Sequence, residues 1–308
     1  MANRLRGPYI EPMKFGIIAS VTALVGSGLV ALAACGTEDP SVFPDGGASN
    51  GGTASGSTSS SGAPGITTDG GTSGDGGGGD AGCGPNLTGI VRDFKAWKDG
   101  AGHPDFERYM GGGQKRMVLP QLGADFKPQY NPEPGEGSGN PVAPGAQKFI
   151  TSPESFAQWY RDVPGTNQSF DFTLELIKSD AGTGVSTYAN NKFFPIDGQG
   201  FGDEGQPHNY GFTFELHTEF KYNGGEVFSF TGDDDLWTYI HGKLAIDLGG
   251  VHSELSQSVA LDDIAADFGL VKGETYPLDV FHAERHVVES NFRIDTSIEF
   301  TNCSQIVH

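Results

Sequence analysis

The chain has 308 residues, 39 acidic side chains against 19 Lys and Arg, a formal net charge of −20, and 48 glycines. That charge argues against nucleic acid and against anionic membrane faces as partners, since both repel a polyanion. The glycine content is far above that of a packed domain, so part of the chain is expected to lie outside one.

Residues 1–34 read as an export signal. Arg4, Arg6 and Lys14 form a basic start, with Met13 an alternative initiation point to Met1, and Ile17 to Leu32 is an apolar run broken by Gly and Ser. The run is marginal for a spanning helix, which needs about 20 apolar residues. Leu32-Ala33-Ala34-Cys35 resembles a bacterial lipobox. Cys35 is therefore the expected lipidation site, with attachment to a membrane through the lipid alone. Gly36 follows it rather than Asp, which points to the outer membrane or cell surface. Residues 35–84 are rich in Gly, Ser, Thr and Asp, hold no Lys or Arg, and carry only Val42, Phe43 and Ile66 as large apolar residues. Such a segment buries too little surface to offset its ordering entropy, and a disordered tether is expected.

The globular part is expected over 85–303, with 304–308 as a short tail. Cys83 and Cys303 flank it and show no CxxC spacing, so a zinc knuckle is not indicated. Outside the cytosol a Cys83–Cys303 bond is expected, contributing roughly 2–4 kcal/mol.

Within this region Leu87 to Phe94 reads as extended, and 111–144 as a Gly- and Pro-rich loop. Ser152-Pro153-Glu154 is a helix start, with Phe156, Trp159 and Tyr160 on one face and a stop before Pro164. Strands are expected at Phe170–Ile177, along Phe212, Phe214, Leu216, Thr218 and Phe220, and at Val227–Phe230, with Asn223-Gly224 as a hairpin turn. Leu236, Thr238 and Ile240 alternate with Trp237 and Tyr239, the pattern of a half-buried strand. His241-Gly242 is then a tight turn, and Leu244, Ile246 and Leu248 make a second strand. A short helix over Leu261–Phe268 should end at Gly269, followed by strands at Tyr276–Phe281 and Phe292–Phe300. Many short strands with one or two short helices predict an all-β, antiparallel sandwich or barrel. No coiled-coil pattern or apolar seam speaks for an oligomer.

Asp233, Asp234 and Asp235 sit at the mouth of the Leu236–Leu248 hairpin. Three like charges there repel, and a hard cation with oxygen ligands, calcium, is the simplest neutraliser. The alternative is that the acids cap the strand by accepting backbone N–H groups. Trp237 and Tyr239 are candidates to stack on sugar rings, although their alternation equally fits a core. His282, Glu284 and His286 would share one strand face and could ligate a transition metal, but the helical His-Glu spacing of zinc proteases is missing. No G-x-S-x-G elbow appears, Gly198–Gly202 lacks a strand–helix context, and no pair of acids stands out as glycosidase carboxylates. An enzyme is not expected.

An ordered series of motifs runs through the domain. It includes Val91-Arg92-Asp93-Phe94, His103-Pro104-Asp105-Phe106-Glu107, Trp159-Tyr160-Arg161-Asp162-Val163, Phe193-Phe194-Pro195-Ile196-Asp197 and His208-Asn209-Tyr210. It continues through Phe212-Thr213-Phe214-Glu215-Leu216, Thr231 to Trp237, Asp247 to His252, Ala283-Glu284-Arg285-His286 and Ser290-Asn291-Phe292. Over 87–300 this resembles a fibro-slime domain, a branch of the PA14-like β-sandwiches. The resemblance implies a surface-exposed adhesion or slime-associated protein. In the lectin members of the wider group, two adjacent aspartates joined by a cis peptide bind calcium, which bridges sugar hydroxyls. By that likeness the ligands are Asp233 and Asp234. Asp235 stands where many relatives have glycine, and Asn291 resembles a loop asparagine that completes such sites; both are secondary candidates. The expected function is a lipid-anchored, calcium-dependent carbohydrate-binding or adhesion module with a glycan or extracellular-matrix partner. The alternative is a structural envelope or matrix protein that binds proteins through its sandwich, without a metal-dependent ligand.

Overall fold

The computed structural model describes residues 86–135, 149–179, 182–304 and 306. The expected signal peptide, lipidation site Cys35, tether and Cys83 lie outside the described residues. In chain order the elements are β1 (Asn86–Phe94), β2 (Gly112–Gly113), α1 (Pro153–Phe156), β3 (Asn167–Glu175), β4 (Ile177–Lys178), β5 (Ser186–Asn190), β6 (Phe212–Lys221) and β7 (Val227–Gly232). They continue with β8 (Asp235–Ile240), β9 (Lys243–Leu248), β10 (Gly250–Val251), β11 (Leu255–Ala260), α2 (Leu261–Phe268), β12 (Thr275–Glu284), β13 (Phe292–Thr296) and β14 (Phe300–Asn302). Among the described residues no helix is long and apolar enough to cross a membrane.

The strands form the expected antiparallel sandwich. One sheet runs β3-β1-β6-β12-β8-β9, with β14 also pairing β6, and the other runs β11-β7-β13-β5-β4. Between them lies the larger core, where Phe214, Leu216, Leu236 and Val280 of the first sheet meet Phe228, Phe230, Phe292 and Ile294 of the second. A second core lies on the opposite face of the first sheet. There Phe94, Trp237, Tyr239 and Phe281 pack against Phe106, Met117, Phe156, Trp159 and Tyr160 from the long connection between β1 and β3.

This double covering corrects the expectation of a half-buried β8. All six of its residues are buried, because the even-numbered side chains face one core and the odd-numbered ones the other. The same holds for β6, whose polar partners Thr213, Glu215 and His217 are buried rather than solvated. Asn223-Gly224 is a turn but not a hairpin: β6 and β7 belong to different sheets. The chain corners there with Gly224 at φ 97°, and the Glu226 carboxylate accepts the Asn223 and Gly224 N–H groups at 2.6 and 2.8 Å.

The capping box at Ser152 forms with Ser155, each hydroxyl accepting the other's backbone N–H at 3.1 Å. The helix it opens is only four residues long, because Phe156, Trp159 and Tyr160 are drawn into the second core. By contrast α2 matches its expected bounds and ends on left-handed Gly269. The single strand expected over 292–300 divides into β13 and β14 on different sheets. Strands β5 and β11 carry little apolar alternation, and ladder pairing with β13 and β7 forms them.

Candidate functional site

The hairpin of β8 and β9 turns at His241 and Gly242, both left-handed, which is the geometry of a two-residue β-turn. At its open end the chain leaves β7 and enters β8 through Asp233 and Asp234, joined by a cis peptide bond. Asp235 is already the first residue of β8. Three neighbouring aspartates therefore point to different partners.

Asp233 meets Asn291 just before β13. Its Oδ1 accepts the Asn291 backbone N–H at 2.5 Å and its Oδ2 the Asn291 Nδ2 at 2.8 Å. The Asp233 carbonyl lies 2.7 Å from Nε2 of His282 on β12. Asp234 accepts the backbone N–H groups of His252 and Arg285, each at 3.1 Å. Asp235 Oδ1 accepts from Gly250 N at 2.7 Å, and its Oδ2 from Arg285 Nε at 2.6 Å. Arg285 in turn donates Nη1 to the carbonyls of Phe149 and Asp105 at 2.6 and 3.1 Å and lies 4.7 Å over the Trp159 ring.

The electrostatics divide along the same line. Among the described residues Arg285 ion-pairs with Asp235, and neither Asp233 nor Asp234 has an ion pair. Burial pushes the Asp234 carboxyl well above the usual range; Arg285 offsets part of this and Asp235 adds to it. Burial also raises Asp233, against the pull of Asn291. Glu284, fully buried beside them, is driven up by burial and by the charges of Asp234 and Asp233.

Asp233 and Asp234 open onto a cavity of about 500 Å³. One wall is the glycine ladder of β2 and β10. Gly250 is at φ 106°, and a Cβ on it would lie 2.6 Å from the Gly112 carbonyl oxygen. Only glycine allows that approach. Among the described residues no three His, Cys, Asp or Glu side chains gather into a group able to hold a metal. A cation on the two aspartates would thus draw its other donors from neutral oxygens, as hard-cation sites commonly do. The donor chemistry fits: two adjacent carboxylates, neither in an ion pair among the described residues, at a cavity mouth.

The structure brings Asp233, Asp234 and Asn291 together. It sets Asp235 apart from them, because Asp235 ion-pairs with Arg285 and does not line the cavity that Asp233 and Asp234 reach. It also corrects the expectation that Trp237 and Tyr239 stack on a ligand. Both are 0% exposed in the second core, where Trp237 Nε1 donates to Asp247 at 3.2 Å and Tyr239 OH to the Leu119 carbonyl at 2.9 Å. The His282, Glu284 and His286 triplet is not a metal face either. His286 lies beyond the end of β12, and His282 is enclosed by Phe193, Phe212 and Phe292, its pKa lowered to about 4 by burial. Arg285, which follows Glu284 in the chain, ion-pairs with Asp235. Its place in the Ala283–His286 motif, and that of His252 in the Asp247–His252 motif, was the available signal. Of the quoted motifs, Thr231–Trp237, Asp247–His252, Ala283–His286 and Ser290–Phe292 meet at the open end of the β8–β9 hairpin.

The model of the PA14 domain matches residues 196–306. A PA14-like domain is present. Its sheet extends upstream of the match, since β1 lies between β3 and β6. Protein psiR of Dictyostelium discoideum is 40% identical over 212 residues, covering 64% of this chain and 20% of that protein. Protein psiC of the same organism is 38% identical over 211 residues, covering 65% and 39%. The chain thus spans between a fifth and two fifths of these relatives' length. Among solved structures, the PA14 sugar-binding domain from an RTX adhesin overlaps at TM-score 0.25 and 10% identity, over 40% of this chain and 79% of that one. The epithelial adhesin 9 A domain from Candida glabrata, in complex with Galb1-4GlcNAc, overlaps at TM-score 0.26 and 15% identity, over 69% and 84%.

Proposed function

We propose that the PA14-like domain is a calcium-dependent carbohydrate-binding module used in adhesion at the cell surface. Asp233 and Asp234 would hold the ion, with Asn291 fixing the orientation of Asp233. Bound there, calcium supplies open coordination positions for the hydroxyls of a glycan or matrix component. The observation that carries this reading is the pair of carboxylates without an ion pair at the mouth of the cavity. Calorimetric titration of the full-length chain with calcium tests it, paired with thermal melting with and without EDTA. Saturable binding that is lost in Asp233→Ala is expected; an unchanged melting temperature in EDTA together with a silent Asp233→Ala sinks it.

A structural reading has its own support, since Asp234 and Asp235 accept backbone N–H groups from His252, Arg285 and Gly250. In that case the module is an envelope or matrix protein whose acids only cap the strand. The setting is part of the proposal. Cys35 would carry a lipid anchor and 35–84 would act as a tether, as in a bacterial fibro-slime lipoprotein of the outer membrane. A Cys83–Cys303 bond would close the domain, supported by the disulfide-bonded state of Cys303. Palmitate labelling lost in Cys35→Ala tests the anchor.

A further inference from the structure

The cavity beside Asp233 and Asp234 is far larger than one cation requires, and its remaining walls have a distinct chemistry. Six large hydrophobic residues are exposed among the described residues, and three of them line this cavity: Met110 at 69%, Val288 at 68% and Leu255 at 39%. Solvent-facing apolar side chains gathered in one concave place mark a contact surface. The other three, Phe126, Ile177 and Val271, do not line it. Among the described residues no Phe, Tyr or Trp lines the cavity, whose only rings are the His252 and His286 imidazoles, so a sugar here would not find a large ring face to stack on. It would instead set a small apolar group against aliphatic side chains. Four acids line the cavity, Glu254 and Glu289 with Asp233 and Asp234, against the two imidazoles of His252 and His286, and among the described residues no Lys or Arg faces the space. One divalent ion leaves that lining with an excess of negative charge, which disfavours an anionic ligand.

We infer that the cavity selects a neutral glycan residue in which the ion-binding hydroxyls adjoin an apolar edge, a 6-deoxyhexose being the simplest form, and that it excludes uronic acids. This rests on the calcium-lectin reading above. Met110, Val288 and Leu255 are the selectivity residues for the apolar edge, and Glu254 and Glu289 are those for charge. Burying one extra apolar group in such a wall discriminates by roughly 10- to 200-fold.

The test uses the full-length chain, loaded with calcium, in calorimetric titrations with three methyl glycosides of matched stereochemistry: a 6-deoxyhexoside, the parent hexoside and the hexuronide. The deoxyhexoside should bind about tenfold or more tightly than the hexoside, and the hexuronide should give no measurable heat. The Met110→Gln, Val288→Thr double variant should lose that preference while its calcium titration stays as in the parent chain. Glu254→Gln, Glu289→Gln should admit the hexuronide. With calcium binding intact, equal affinity for deoxyhexoside and hexoside, or preferred binding of the hexuronide, overturns the inference and leaves the calcium reading standing. No calcium heat at all overturns the parent reading and this one with it.

Discussion

Two buried acid clusters in this domain have opposite fates. On the second-core face of β6, Glu215 is ringed by basic groups. Arg92 Nη1 lies 2.5 Å from it, Lys127 ion-pairs with it, and His217 Nε2 lies 2.6 Å away, with Asp279 on the other side of the same ring. Burial alone would raise Glu215, but the His217 hydrogen bond and the charges of Arg92, His217 and Lys127 outweigh it and hold its pKa at about 2. At the end of the β8–β9 hairpin, Arg285 is committed to Asp235, so burial raises Asp233 and Asp234. Both places are closed to water on most sides. One is completed by the protein's own cations and serves the fold. Among the described residues the other has the single cation Arg285 for three aspartates, and it is the one beside a cavity.

The contrast can be broken most forcefully at Arg285. Replacing it with Met leaves Asp235 as an unpaired buried charge and should cost about 3–5 kcal/mol, read by urea denaturation. The Arg285→Met, Asp235→Leu double variant should recover much of the loss; a single-variant loss below about 1 kcal/mol would remove the distinction between the two clusters.

The Glu215 cluster should reveal itself through pH. Its folded pKa of about 2 lies below the ordinary 4.5, so its stabilisation is present above pH 4.5 and is lost as pH falls toward 2. Glu215 is 1% exposed, and the shift corresponds to about 3 kcal/mol. Measured against Glu215→Gln, the parent chain should lose that advantage between these pH values.

The site at Asp234 should behave in the other direction. Asp234→Asn removes a charge that burial penalises, so without calcium the variant should be at least as stable as the parent. Calcium at 100-fold above its dissociation constant should raise the parent's stability by about 2.7 kcal/mol and leave the variant unmoved. A variant that is destabilised in EDTA by more than about 1 kcal/mol would favour the capping role instead.

The smallest effect concerns the aromatic residues. Tyr239→Phe loses the hydrogen bond to Leu119 and should cost about 1 kcal/mol, with glycan binding unchanged. A loss of glycan binding at unchanged stability would return Tyr239 to the ligand site.

Much of this was legible in the sequence where local chemistry acts alone. The His241-Gly242 turn needs two left-handed residues, α2 needs Gly269 at its end, and the Ser152 cap needs only its own turn. The candidate site was legible in a weaker sense. The Asp233–Asp235 run marked the place, and the likeness to a known family singled out Asp233 and Asp234, with Asp235 and Asn291 as secondary candidates. The assignment of partners was not legible, because Arg285 stands 50 positions from Asp235 and no pattern announces which of three adjacent acids a distant guanidinium will reach.

By itself the sequence determined the all-β class, the turns and caps, and the position of the acidic run, since alternation and left-handed residues act within a few positions of one another. Tertiary structure decided what alternation cannot encode. A second layer of side chains from the β1–β3 connection covers the outer face of the first sheet. Trp237, Tyr239, Glu215 and His217 therefore became interior residues, and the open surface moved to the cavity beside Asp233 and Asp234. The physical reason is that a strand pattern records which residues differ from their neighbours. It does not record whether the far side faces water or another core.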